Sequence, residues 1–158
     1  PAGFIVTTEV CTIYNQKGKD AAVNLIKDEV EAAITQVEKI MKAKFNAAGD
    51  GFPLLLSVRS GARVSMPGMM NTILNLGMND DTVKIVAEKS GNEKFAYDSY
   101  RRFIQMYGDV VMGVVAEEGE HCPFEQVLDR VKTDNNYASD TDLTADDLMI
   151  LADLFKKK

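Results

Sequence analysis

Two short apolar runs inside residues 54–77, LLLSVRSGARVSMPGMMNTILNLG, limit what this chain can fold into. Leu54–Arg59 is continuously apolar until its closing arginine and reads as a buried strand. Thr72–Leu76 alternates imperfectly, and its length and flanking glycine make it the partner strand. Most of the remaining sequence is helical in period or polar. The expected class is therefore α+β, helix-rich, with a small antiparallel sheet.

The helices announce themselves by spacing. Across residues 20–44, Val23, Ile26, Val30, Ala33, Ile34, Val37, Ile40 and Met41 follow the i, i+3, i+4 rule, with charged residues on the other faces. Before it, a β-branched run leads to Thr7 or Thr8 as a helix cap, with Glu9 well placed for the helix dipole. Asp80 or Asp81 is expected to cap a helix that stops at Gly91. The next helix, from Asn92 through Met112, carries Ala96, Tyr100, Phe103, Tyr107, Val110 and Val111 on one face and Arg101, Gln105 and Asp109 elsewhere. Cys122-Pro123 opens a helix to about Lys132, and TDNNYASDTD is a polar loop. Thr144 caps a last helix with Leu148, Leu151, Leu154 and Phe155 as its stripe. The apolar stripes of helices 20–44 and 93–112 are expected to pack on the Leu54–Arg59 strand.

Length and charge bound the function. The 158 residues suit one domain, and a net charge of −6 argues against general polyanion or nucleic-acid binding. No apolar run approaches the roughly 18 residues of a membrane span, so no membrane is expected. Two cysteines fit free thiols in a reducing compartment and not secretion. The chain opens on Pro1 without methionine or leader and reads as a processed or excised piece.

The chemistry concentrates between the strands. Arg59 at a strand end would project its fork of donors beyond the sheet, a geometry suited to phosphate oxygens. Ser60, Gly61 and Ala62 would let backbone approach a ligand, and their amides would form an anion-binding hollow. Arg63 could close the other side, Pro67-Gly68 would set a second turn, and Met66, Met69 and Met70 could give an apolar cover. Against this stands the plain alternative: solvated or ion-paired arginines and core methionines. The residues alone leave both open, and no Walker A, G-x-G-x-x-G or zinc spacing occurs.

The segments PAGFIVTTEVC, LLLSVRSGARVSMPGMMNTILNLG, GNEKFAYDSYRRFIQMYGDVVMGV and DLTADDLMILADLFKKK closely resemble the N-terminal nucleotide-binding domain of the pyruvate phosphate dikinase family. The related phosphoenolpyruvate synthases are similar through V-R-S, but the S-G-A-R-x-S-M-P-G-M-M continuation favours the dikinases. The resemblance implies an ATP-grasp domain that binds ATP with Mg²⁺. It implies Arg59 as phosphate contact, the loop Ser60, Gly61, Ala62 and Arg63 through Gly68 as phosphate cover, and Arg102 of Y-R-R-F as a further contact. An ATP-binding lysine motif would lie upstream. Metal-binding acids, a phosphohistidine domain and a pyruvate-binding barrel would lie downstream. Residues 1–158 would then be part of one domain, with no catalytic or metal-ligating residue of its own and inactive alone. The partners implied are ATP, the remaining dikinase chain and a second copy in a homodimer, in the cytoplasm or an organelle lumen such as a plastid or microbody. The alternatives are a noncatalytic fragment or interaction module that keeps the fold, or part of the related phosphoenolpyruvate synthase.

Other residues favour plainer roles. His121 lies in an acidic loop unlike a phosphohistidine motif, and Cys11 and Cys122 lack neighbours that would activate them. The acidic run Asp142–Asp147 lacks a calcium-loop glycine and reads as capping. The aromatic spacing from Tyr97 to Tyr107 fits core packing better than an adenine platform.

Overall fold

The structure, a computed structural model, describes residues 2–46, 51–61, 71–114, 116 and 121–158. In chain order its elements are α1 (Glu9–Lys17), α2 (Lys19–Met41), β1 (Leu56–Arg59), β2 (Thr72–Leu76), α3 (Thr82–Ser90) and α4 (Glu93–Tyr107). A π-helical turn (Gly108–Met112) continues α4, and α5 (Pro123–Asp134), a 3-10 turn (Asp140–Asp142) and α6 (Ala145–Phe155) follow. The α+β, helix-rich class with a small antiparallel sheet is borne out.

β1 and β2 pair antiparallel, with Leu56 opposite Leu76, Val58 opposite Ile73 and Arg59 opposite Thr72. That register inserts an extra residue into β2, and Asn75 there adopts a left-handed φ of 60°. A β-bulge is why the sequence alternates imperfectly over this strand. The expectation of a buried strand at Leu54–Arg59 needs correction. Leu54 is buried and bridges Phe45, but Ser57, Val58 and Arg59 are exposed. Two strands covered on one side leave their outer end to solvent.

The core lies around α4. On one side Met78, Val83, Val86, Ala87, Ala96, Tyr100 and Ala152 pack together; on the other Phe124, Leu128, Leu143, Leu148, Leu151 and Phe155 do. Tyr97 and Ile104 of α4 touch both groups, so one helix stitches the two halves into a single body. The rings of Phe124 and Phe155 meet with centroids 4.9 Å apart, tilted by 54°. A Cβ added to Gly108 would sit 2.4 Å from Phe124 Cζ, so the chain must be side-chain-free where α4 meets α5. The aromatics Tyr97, Tyr100 and Phe103 pack in this core, as their spacing suggests.

Neither helix packs chiefly on the Leu54–Arg59 strand as expected: α4 lies mainly on its partner β2, with Leu55 reaching the same core, and α2 turns elsewhere. Its main partner is α1, and only Ala22 and Val37 of α2 are buried. Val23, Leu25, Ile40 and Met41 remain exposed.

Local capping is partly as read. Thr144 and Asp147 form a reciprocal capping box that starts α6, and Ser139 and Asp142 do the same for the 3-10 turn. Asp81 stands at the start of α3 without a side-chain cap bond. Asn79 caps the helix instead, its Oδ1 accepting from the backbone N–H groups of Asp81 and Thr82 at 2.9 and 2.8 Å. Asp80 accepts from Lys156 Nζ at 2.8 Å and from the Tyr100 hydroxyl at 3.1 Å. Thr8 precedes α1 without capping it, and the Thr7 hydroxyl donates to Glu9 at 2.8 Å.

Candidate functional site

Arg59 ends β1, opposite Thr72, and beyond it the hairpin stem closes by one more step. The Ser60 backbone N–H donates to Asn71 O at 2.9 Å, and the Asn71 N–H donates to Ser60 Oγ at 3.0 Å. These bonds fix the backbone on which Arg59 stands. They also engage the Ser60 amide, which is therefore unavailable to an anion; its hydroxyl proton stays free to be donated. Arg59 is exposed and has no ion pair or hydrogen-bond acceptor among the described residues. Gly61 follows without a left-handed φ, and a Cβ built there would meet nothing within 4 Å among them. Among the described residues, neither backbone strain nor packing demands glycine at that position. Ala62, Arg63 and Gly68, with Met66, Met69 and Met70, lie outside the described residues.

Arg102 sits on α4, apart from the hairpin end in sequence and in element. Its Nε donates to Asp98 Oδ2 at 2.8 Å while most of its side chain faces solvent. Its neighbour Arg101, which the periodicity places away from the core, is buried with 3% of its surface exposed. Arg101 donates from Nε and Nη2 to Asp98 Oδ1 at 3.2 and 2.8 Å, and from Nη1 to Gln105 Oε1 at 3.4 Å. Asp98 and Arg101 are not marked out by the sequence motifs. Their spacing of three residues, with Arg102 at four, is the signal that could reveal them.

The other polar groups serve the fold. Cys122 Sγ lies 3.7 Å from Asp109 Oδ1, and burial holds the Asp109 carboxyl above the usual carboxylate range. An acid so placed does not activate a thiol. The carboxylates of Asp142 and Asp147 are occupied by capping bonds, and the Thr144 hydroxyl holds Asp147 below its ordinary pKa. Among the described residues no three His, Cys, Asp or Glu side chains gather to hold a metal. No helix there is long and apolar enough to cross a membrane.

Comparison with curated proteins gives this chain relatives. The chain is 54% identical over 156 residues to "Pyruvate, phosphate dikinase" of Clostridium symbiosum, a match covering 99% of this chain and 17% of the relative. It is 48% identical over 158 residues to the Giardia intestinalis protein of the same name, again 99% and 17%. To the chloroplastic "Pyruvate, phosphate dikinase" of Flaveria trinervia it is 47% identical over 156 residues, 99% of this chain and 15% of the relative. Over nearly its whole length the chain is similar to one part of pyruvate, phosphate dikinases. It spans about one sixth of the length of these relatives. No family model matches it. Of the dikinase-like motifs, V-R-S therefore ends the exposed strand, and Y-R-R-F lies on the central helix with one arginine buried and one presented outward.

Proposed function

We propose that this chain forms part of the ATP-binding wall of a pyruvate phosphate dikinase, within an ATP-grasp domain that residues 1–158 only partly make up. The observation that carries the reading is Arg59: a cation on a hydrogen-bonded hairpin stem, exposed and without a partner among the described residues, beside a glycine with open space around it among those residues. In a dikinase, ATP yields its γ-phosphate to inorganic phosphate and its β-phosphate to an enzyme histidine, which then converts pyruvate to phosphoenolpyruvate reversibly. The developing charge sits on phosphate oxygens, so a preoriented guanidinium lowers the barrier by electrostatic stabilisation. Arg59, the Ser60 hydroxyl and the approach over Gly61 supply this, with Ala62, Arg63 and Gly68 continuing the cover and Arg102 adding a third cation.

Mg²⁺ accompanies the nucleotide in this reading, but the residues at the hairpin end do not fit it. They are cationic or neutral, so the chain meets phosphate oxygens and the metal is left to acids elsewhere in the enzyme. The remaining dikinase chain and a second subunit complete the active unit, in the cytoplasm or, as the chloroplastic relative suggests, an organelle lumen.

In the full-length dikinase carrying this segment, Arg59→Ala should slow the nucleotide half-reaction by about 10- to 100-fold, the worth of one charge-assisted hydrogen bond. The pyruvate half-reaction should hold its rate. Equal loss in both halves would assign Arg59 to folding instead.

A further inference from the structure

Asp98, Arg101, Arg102 and Gln105 share one face of α4 by helical spacing. Arg101 is buried, and a buried guanidinium demands a partner; both its Nε and Nη2 donate to Asp98 Oδ1. The other oxygen, Oδ2, accepts from Arg102 Nε at 2.8 Å. An exposed Arg–Asp pair on a helix would ordinarily constrain little, since both side chains can move away together. Here the carboxylate is held from behind by a cation that is itself packed into the protein. Its second oxygen therefore anchors the Arg102 guanidinium at Nε and narrows the directions its far end can take.

The contact uses only Nε of Arg102. Neither Nη group has a partner among the described residues, and the side chain is 62% exposed. The two Nη groups form the end of the fork that pairs with a phosphate in parallel hydrogen bonds. One carboxylate shared by two guanidiniums also leaves the cluster net positive, so the pairing orients Arg102 without cancelling its attraction for an anion.

We propose that Asp98 is a positioning residue that aims Arg102 at the nucleotide's phosphates, with buried Arg101 as its strut. This rests on the reading of Arg102 as a phosphate contact. The test uses the full-length dikinase carrying this segment, comparing the parent enzyme, Asp98→Asn, Arg102→Ala and the double variant. Single-turnover AMP formation from Mg-ATP and phosphate is measured beside the pyruvate half-reaction. Asp98→Asn should slow AMP formation by roughly 10-fold, leave the pyruvate half-reaction unchanged, and add nothing in the Arg102→Ala background. If Arg102→Ala is slow while Asp98→Asn runs at the parent rate, the positioning role is overturned and the Arg102 reading stands. If Arg102→Ala runs at the parent rate, the Arg102 reading falls and the proposal with it. Losses that add in the double variant, or that strike both half-reactions alike, would make Asp98 structural and overturn the proposal. Should Asp98→Asn fail to fold, Asp98→Glu carries the same test, because it keeps a negative charge beside Arg101 while displacing the oxygen that meets Arg102.

Discussion

The helices α3 to α6 and the pair α1–α2 use apolar residues to opposite effect. In α6, Leu148, Leu151, Ala152 and Phe155 are all buried, and α4 touches both halves of the core. In α1 nothing is buried, and Ile40 at the end of α2 is 68% exposed. Both regions have helical periodicity. What separates them is the number of neighbours: α4 has helices on several sides and a strand on another, whereas α2 has chiefly α1. An amphipathic stripe states that a face is suited to cover, and the tertiary structure decides whether cover arrives.

The sharpest way to break this contrast is to truncate one side chain in each region. Phe155→Ala should cost about 3–5 kcal/mol of unfolding free energy, through lost burial and the cavity left against Phe124. Ile40→Ala should shift it by less than about 0.5 kcal/mol. Urea unfolding with hydrogen exchange checks both, and similar losses would erase the distinction between the regions.

A smaller effect sharpens the boundary of the well-packed body at α3. Asn79→Ala should cost about 1 kcal/mol, since two backbone N–H groups lose their acceptor. Asp81→Ala should leave the urea midpoint nearly unchanged. The reverse ranking would restore Asp81 as the cap.

How far the sequence reaches follows the range of each interaction. Thr144 and Asp147 are three residues apart, and their capping box is legible because its two halves are local. The Thr72–Leu76 strand stands where its pattern puts it, and the flaw in its alternation is the bulge at Asn75. Asp80 looks like a cap in the sequence because its real partner, Lys156, is remote from it along the chain. Arg101 looks like an outer-face residue until Asp98 is set beside it, the partner that makes burial tolerable. At the site, Arg59 is legible as a cation ending a strand, whereas its freedom from ion pairs among the described residues depends on where the acids lie in space.

The mildest prediction concerns alkaline pH. Burial first, and then its hydrogen bond to Asp80, push the Tyr100 hydroxyl up to about 12. The folded pKa exceeds the ordinary value of about 10, so the protonated form is favoured by folding. Its contribution should be full below about pH 10 and decline as pH rises towards 12. The stability difference between the parent chain and Tyr100→Phe, followed by urea unfolding, should therefore shrink across that window. A constant difference would mean that Tyr100 titrates alike folded and unfolded.

Gly108 and Phe124 sit on different helical elements, yet neither position can vary independently of the other. A methyl group at 108 collides with the ring tip at 124, while a smaller residue at 124 leaves a hollow that a bare glycine cannot fill. A lineage that changes this junction meets a barrier whichever substitution comes first. The route between alternative pairs runs through a poorly packed intermediate.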